Sequence, residues 1–433
     1  MPVALRPLFR PLLAAAAAVA LAACSGGDEA ASSPATYAGT LTDSAIQGVN
    51  FTASPSGLSG TTDVNGQFLY RAGDTVTFTL GSLELGNVTP TGVQATITPL
   101  QLVDGLGITD ATEKTNAVTN MLVLLQTVDQ DGNPNLGITI STAVRDALTP
   151  SLAIALAASL RTDPDSFDDS AELTTLYTAA GDDADRVTPA EALAHFREQF
   201  LVNMAGTYTT PGAEGAVIYR FEPNGSYLMS QVGPDEAGGT TGLERGQIDW
   251  DPTTGEAFLV TTPLQDTNLD WGLSTLRTAT GTAAEKLYLS LEGTSLVMKS
   301  SLDPENPQYF ARITAHSNSL FGPWIYNGFS LADPHYIFFS SGRVVVIDPV
   351  GANCDTPGVE FANFTLYTTS SPDDFFLVFS NALYDSNDCD GVYNADALPA
   401  NRYDTTQLHL NDDGSLELGT SGTLFRHNHS AAL

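Results

Sequence analysis

The sequence predicts a mainly β, multidomain chain: a small N-terminal β-sandwich, a central helical domain and a C-terminal pair of repeated antiparallel β-meander or barrel units. Three observations predict it. Over residues 35–103, short runs rich in Val, Thr, Phe and Ile are separated by Gly, Asn and Asp, which is how strands are punctuated. Over 104–204, apolar residues recur at three- and four-residue spacing, the period of a helix. Over 205–433 the chain repeats itself, so one supersecondary unit is used twice. A length of 433 residues suits about three domains. A hydrophobic share of 42% lets most of the chain bury a core.

In the first region the expected strands are Tyr37–Leu41, Val49–Ala53, Gly66–Tyr70, Thr75–Leu80 and Gln94–Thr98. Asp63-Val64-Asn65-Gly66 is turn chemistry, because Asn and Gly tolerate positive φ and Asp can bond its own backbone. Phe68 and Tyr70 then fall on one face of the next strand. In the second region Val118, Met121, Leu122, Leu125 and Val128 mark a helix over Thr115–Val128 with Thr112 and Thr115 as candidate N-caps. Ser141–Leu148, Pro150–Leu160, Ala171–Ala180 and Pro189–Met204 are expected helices too. Pro150 and Pro189 sit where a first turn accepts proline, and Thr188 with Glu191 forms a capping box. The stripe of Leu193, Phe196, Phe200 and Leu201 reads as packing.

The third region holds two units of about 115 residues, 205–316 and 317–433. The first opens Gly206-Thr-Tyr208 and continues through Val217–Phe221, Gly242-Leu-Glu244 and Asp266-Thr-Asn268-Leu-Asp270-Trp271-Gly272. The second opens Gly322-Pro-Trp324 and continues through Tyr336–Phe339, Gly358-Val-Glu360 and Asp385-Ser-Asn387-Asp-Cys-Asp390-Gly391. The offset is 116 at the opening Gly and at Glu, and 119 at Asp, so a short loop insertion separates the units. Two barrels, or one sheet built from both units, fit this pattern equally.

Arg6 and Arg10 precede an apolar run, Leu12–Ala23, too short for a bilayer span of about 20 residues and suited to a secretory signal over 1–23. The run ends Leu21-Ala22-Ala23-Cys24, which resembles the lipobox of bacterial lipoproteins. The resemblance implies cleavage before Cys24, acylation of Cys24, and, because Ser25 rather than Asp follows, an outer-membrane address facing periplasm or surface. Residues 24–34 are small and polar, a flexible tether. The 50 acidic and 17 basic residues give a formal charge of −33, which excludes a nucleic-acid backbone binder. Cys354 and Cys389 are then an even pair in an oxidising compartment. A bridge would close about 35 residues, worth roughly 4 kcal/mol; two buried thiols are the alternative.

Alternating oxygens make three candidate Ca²⁺ loops: Asp129, Asp131 and Asn133; Asp266, Asn268 and Asp270; Asp385, Asn387 and Asp390. Polar turns are the competing reading of each. In the first, glycine falls at the fourth position and no Glu stands at the twelfth. Trp271, inside the second loop, is a candidate ligand contact. His427 and His429 near the C-terminus could take a metal, but a frayed tail explains them. Gly-x-Ser-x-Gly, His-Glu-x-x-His, Cys-x-x-Cys, Gly-x-Gly-x-x-Gly and Walker sequences are all missing, so no catalytic residue is assigned.

The Asp-x-Asn-Gly turn, together with Gly39–Asp43 and Ile46–Val49, resembles the carboxypeptidase regulatory-like β-sandwich, a spacer or surface-binding module. The Gly-x-aromatic openings resemble the start of lipocalin-like meanders, which implies up-and-down sheets that close. The whole layout resembles a broad group of proteobacterial lipoproteins, a likeness that carries no activity with it. The expected function is a lipid-anchored, non-enzymatic, adhesin-like binding module, with an envelope protein, glycan or small molecule as partner and no nucleic acid. The alternatives are a barrel carrier for a small apolar ligand and a hydrolase with a carboxylate site.

Overall fold

A computed structural model describes residues 34–426 apart from 182–184, 233–239, 262, 268–271, 274–275, 277–284, 316–318, 327–329, 352–355, 370, 372, 387–404 and 419–421. The chain is mainly β, with repeated barrel units, as its sequence predicts.

The first strands are β1 (Tyr37–Leu41), β2 (Ile46–Gln47), β3 (Asn50–Ser54), β4 (Ser59–Thr61), β5 (Gln67–Tyr70), β6 (Thr75–Leu80), β7 (Leu83–Val88) and β8 (Thr96–Ile97). All but β2 form two sheets, β4-β3-β6-β7 and β5-β1-β8. Alternation dictates the faces: Phe68 and Tyr70 are buried while Leu69 between them is exposed. Phe68 meets Phe78 edge-on at 4.9 Å and Phe51 at 6.1 Å. The Asp63 turn forms as expected, its Oδ1 accepting from the N–H groups of Asn65 and Gln67 at 2.9 and 2.8 Å.

Seven helices follow among the described residues: α1 (Pro99–Gly105), α2 (Ala111–Thr127), α3 (Thr142–Ala147), α4 (Pro150–Ser159), α5 (Pro164–Asp168), α6 (Ala171–Ala180) and α7 (Pro189–Met204). The first helix begins before residue 104, capped by Thr98 and Gln101. The cap of α2 is Asp110, not Thr112 or Thr115: its Oδ1 accepts from the N–H groups of Thr112 and Glu113 at 2.9 Å. The stronger acceptor one turn earlier wins the N-terminus. From Ala117 to Thr127 every residue of α2 is buried, so its polar groups must be bonded. Asn120 donates to the carbonyls of Leu160 and Thr162 at 2.9 Å, beyond the end of α4. A short strand, β9 (Ile138–Thr139), pairs in parallel with β2 and ties the helices to the sandwich.

The first barrel comprises β10 (Gly206–Thr209), β11 (Val217–Phe221), β12 (Ser226–Gln231), β13 (Gly242–Trp250), β14 (Glu256–Leu259), β16 (Leu287–Glu292), β17 (Ser295–Ser300) and β18 (Gln308–Arg312), with β15 (Gln265–Asp266) added on β13. The second comprises β19 (Gly322–Tyr326), β20 (His335–Phe338), β21 (Arg343–Asp348), β22 (Gly358–Thr368), β23 (Asp374–Asp385), β24 (Thr405–Leu410), β25 (Leu416–Leu418) and β26 (Gly422–Arg426). Each runs up and down in chain order. The first closes through β10–β18 and the second through β19–β26. The repeat thus builds two barrels, not one sheet.

The opening motif has a mechanical reason. Gly206 and Gly322 take φ of 156° and 114°, a region that only glycine enters easily. The aromatic two residues on then plugs its barrel and bonds back four residues. Tyr208 donates its hydroxyl to the Met204 carbonyl at 2.8 Å, and Trp324 donates Nε1 to the Leu320 carbonyl at 2.7 Å.

One core runs unbroken from the sandwich through the helices into the first barrel. At its middle Trp250 stacks on Phe200 at 3.8 Å and meets Phe196 edge-on at 5.2 Å. The second barrel has its own interior around Trp324, Tyr336, Phe338 and Phe364. Between the barrels lies a third cluster, in which Ile218, Leu228 and Leu243 pack on Ile337, Val345 and Val359. These residues alternate with the interior ones on the same strands, so in this region both faces of each sheet are buried.

Candidate functional site

The two repeat motifs are cross-strand partners. Glu244 on β13 pairs in register with Asp266 on β15, and Glu360 on β22 pairs with Asp385 on β23. The residue after each Asp locks the pairing. Thr267 N–H donates to the Leu243 carbonyl, and its hydroxyl accepts from Leu243 N–H, both at 2.9 Å. Ser386 does the same with Val359, at 3.1 and 2.7 Å. The hydroxyl stands in for a strand carbonyl, which explains Thr or Ser as the middle residue of Asp-x-Asn. Glu244 is fully buried and lies against Gly272, where a Cβ would sit 1.5 Å from its Oε1. Burial, and then the Glu244 charge, push the Tyr227 phenol far above its ordinary range; burial and Glu360 do the same to Tyr336. Equivalent positions in both units thus carry the same register pairing and the same hydroxyl bond to the facing strand.

Thr267→Val is expected to cost about 1–2 kcal/mol, because Leu243 N–H loses its acceptor, while Thr267→Ser leaves stability unchanged. Urea denaturation of the three proteins checks this; equal midpoints for wild type and Thr267→Val would remove the hydroxyl's role.

Of the remaining candidates, Cys24, Asn268, Asp270, Trp271, Cys354, Asn387, Cys389, Asp390, His427 and His429 lie outside the described residues. Asp129, Asp131 and Asn133 do come together. Asp129 follows the end of α2, is fully buried, and accepts from Thr139 N–H at 2.7 Å through Oδ1. Asp131 is exposed and its Oδ1 accepts from Asn133 N–H at 3.0 Å. Burial lifts the Asp129 carboxyl to about 6, with the facing Asp131 carboxyl adding to the rise and the N–H groups of Thr139 and Asn133 opposing it.

A cluster invisible in the sequence lies where sandwich, α2 and α7 meet. Asp43, 1% exposed, accepts from Gln126 Nε2 at 2.7 Å through Oδ2, and its Oδ1 lies 3.6 Å from His195 Nε2. Ser44 Oγ lies 3.2 Å from the same nitrogen. Ser, His and Asp are therefore adjacent without forming a relay, which needs the acid on one ring nitrogen and the nucleophile on the other. The cavity beside Asp43, lined by Phe196, Phe200 and Trp250, holds about 40 Å³. That admits water but is far below a substrate pocket of about 300 Å³ or more. On the surface of the second barrel His409 Nδ1 pairs with Asp374 at 2.7 Å, and that bond raises the imidazole above its ordinary range.

No protein-family model matches the chain, and no curated protein matches it. Among the described residues no helix is long and apolar enough to cross a membrane.

Proposed function

We propose that the chain is a lipid-anchored protein of the bacterial outer membrane that works as a non-enzymatic binding module, presenting its outer surface to an envelope protein or glycan. The observation that carries this reading is the filling of both barrels by their own side chains. Tyr208, Phe221, Tyr227 and Met229 occupy the first, and Trp324, Phe338, Phe364 and Leu377 the second. An eight-stranded barrel is just wide enough for such filling or for one small ligand, and the apolar side chains inside favour the first over the carrier reading. Glu244 and Glu360 stand buried at equivalent positions of the two repeats, which favours a structural role for them over the hydrolase reading. The lipobox ending at Cys24 and the polar tether before Tyr37 supply the attachment. An acidic body is repelled by an anionic leaflet, so acyl chains, at about 0.8 kcal/mol per buried CH₂, must hold it.

Cells fed labelled palmitate are expected to label the wild-type chain and not Cys24→Ala, which leaves the membrane pellet. Native mass spectrometry of the mature protein mixed with fatty acids is expected to show no added ligand. A label retained in Cys24→Ala ends the anchoring account, and a stoichiometric fatty-acid adduct restores the carrier.

A further inference from the structure

We propose that the loop Asp129–Asn133 is a divalent-cation site of the calcium type, and that the ion staples the end of α2 to the sandwich. The argument starts from an oxygen. Asp129 Oδ2 is buried and, among the described residues, has no hydrogen-bond partner. The Asp131 carboxyl stands beside it, and the Asn133 N–H is engaged by Asp131 Oδ1 at 3.0 Å, so Oδ2 itself meets no donor. Buried acceptors in that position need a cation or a proton.

The surroundings favour the cation. Asp129 stands immediately beyond the C-terminus of a 17-residue helix, whose terminal carbonyls carry partial negative charge. Arg145, on the same segment, has its donors placed on the Gly48 and Ile140 carbonyls and on Thr142 Oγ1. The oxygens available are hard: the two carboxylates, with the side-chain carbonyl of Asn133 two residues on. Asp131 and Asn133 are exposed, so water can complete the six to eight ligands that Ca²⁺ takes. Mg²⁺ demands a tighter octahedron and gives up its water reluctantly, so it suits this open loop less well.

The loop is also tied on the inner side. Gln130 N–H donates to the Thr139 carbonyl at 3.0 Å and Gly132 N–H to the Asp129 carbonyl at 3.4 Å. Thr139 lies on β9, which pairs with β2 of the sandwich through Ile138 and Thr139. An ion on Asp129 therefore fixes the junction at which helix α2, β9 and the sandwich meet. With two carboxylates in the set, the dissociation constant belongs to the weak range of extracellular modules, about 10⁻⁴ to 10⁻³ M.

The test uses the full mature chain after EDTA treatment, with thermal melts and calorimetric titration in CaCl₂ or MgCl₂. The wild type is expected to melt several degrees higher in millimolar Ca²⁺ than in EDTA, with a smaller response to Mg²⁺. Asp131→Asn, exposed and isosteric, keeps the fold and loses most of that increment, as does Asp129→Asn; Asp412→Asn, on a distant acidic turn, retains it. No calcium increment in the wild type overturns the site, as does an increment that both Asn variants keep. A response to Mg²⁺ as large as that to Ca²⁺ overturns the choice of ion.

Discussion

Replacing Trp324 with alanine is expected to lower the stability of the second barrel by about 4 kcal/mol. Its indole is fully buried in a cluster with Tyr336, Phe338 and Phe364. Truncation would remove the transfer energy of the largest side chain in that interior and leave a cavity that a closed eight-stranded ring has little freedom to collapse. Trp324→Phe separates the two parts of the effect. It keeps most of the apolar contact but leaves the Leu320 carbonyl without the bond it accepts at 2.7 Å, a loss of about 1–2 kcal/mol. Circular dichroism in urea measures both. A cost below about 1 kcal/mol for the alanine variant would mean that the barrel is not organised around this residue.

Stability of the wild type is expected to fall as pH rises from about 4 to about 7, and Asp43→Asn to remove the larger part of that fall, the Asp129 carboxyl, raised to about 6, supplying the rest. Burial pushes the Asp43 carboxyl up to about 7 against the lowering bond from Gln126. Below the unfolded value near 3.8 both states hold the proton. Between the two values the folded state keeps a proton that the unfolded state has released, so raising pH favours unfolding; above 7 the loss is complete. At 1.36 kcal/mol per unit the ceiling is on the order of 4 kcal/mol. Asparagine retains an oxygen for Gln126 and carries no charge, so the variant should gain on the wild type steadily across this window. His195 works in the opposite direction, since burial lowers its imidazole while Glu198 raises it, and at 3.6 Å from Asp43 Oδ1 it is coupled to that carboxyl, so the measured difference belongs to the pair. Chemical denaturation at pH 4, 6 and 8 decides the matter, and a difference independent of pH would sink it.

The sequence was most legible where local chemistry and tertiary packing agree. Helix α7 spans Pro189–Met204 as expected, because a capping box and a first-turn proline fix its start. The repeat spacing announced two equal units and the Gly-x-aromatic start of each. Strand β4, Ser-Gly-Thr and exposed throughout, offers no apolar period to read. Strand β11 hides its period for the opposite reason: Val217–Phe221 is covered on both faces, inside by its barrel and outside by its neighbour. Among the candidates, the spacing of Asp129, Asp131 and Asn133 stood out in the sequence, and the structure places the three on one turn. The Asp43 cluster did not stand out, since Ser44 and His195 stand 151 residues apart and each looks ordinary where it sits. The hydroxyl between Asp and Asn was in view in both repeats, yet its purpose emerges only with the register of β13 and β15.

The cluster between the barrels joins matching patches: Leu228 and Leu243 of one unit face the positions held by Val345 and Val359 in the other. Such a face-to-face meeting of equivalent surfaces is the arrangement of an isologous dimer, here written into a single polypeptide. Fusion replaces an association between molecules with one inside a molecule, where the partner is always at millimolar effective concentration or above. The sticky face of each half is thereby spent on its twin, and the chain is spared a route to runaway self-assembly.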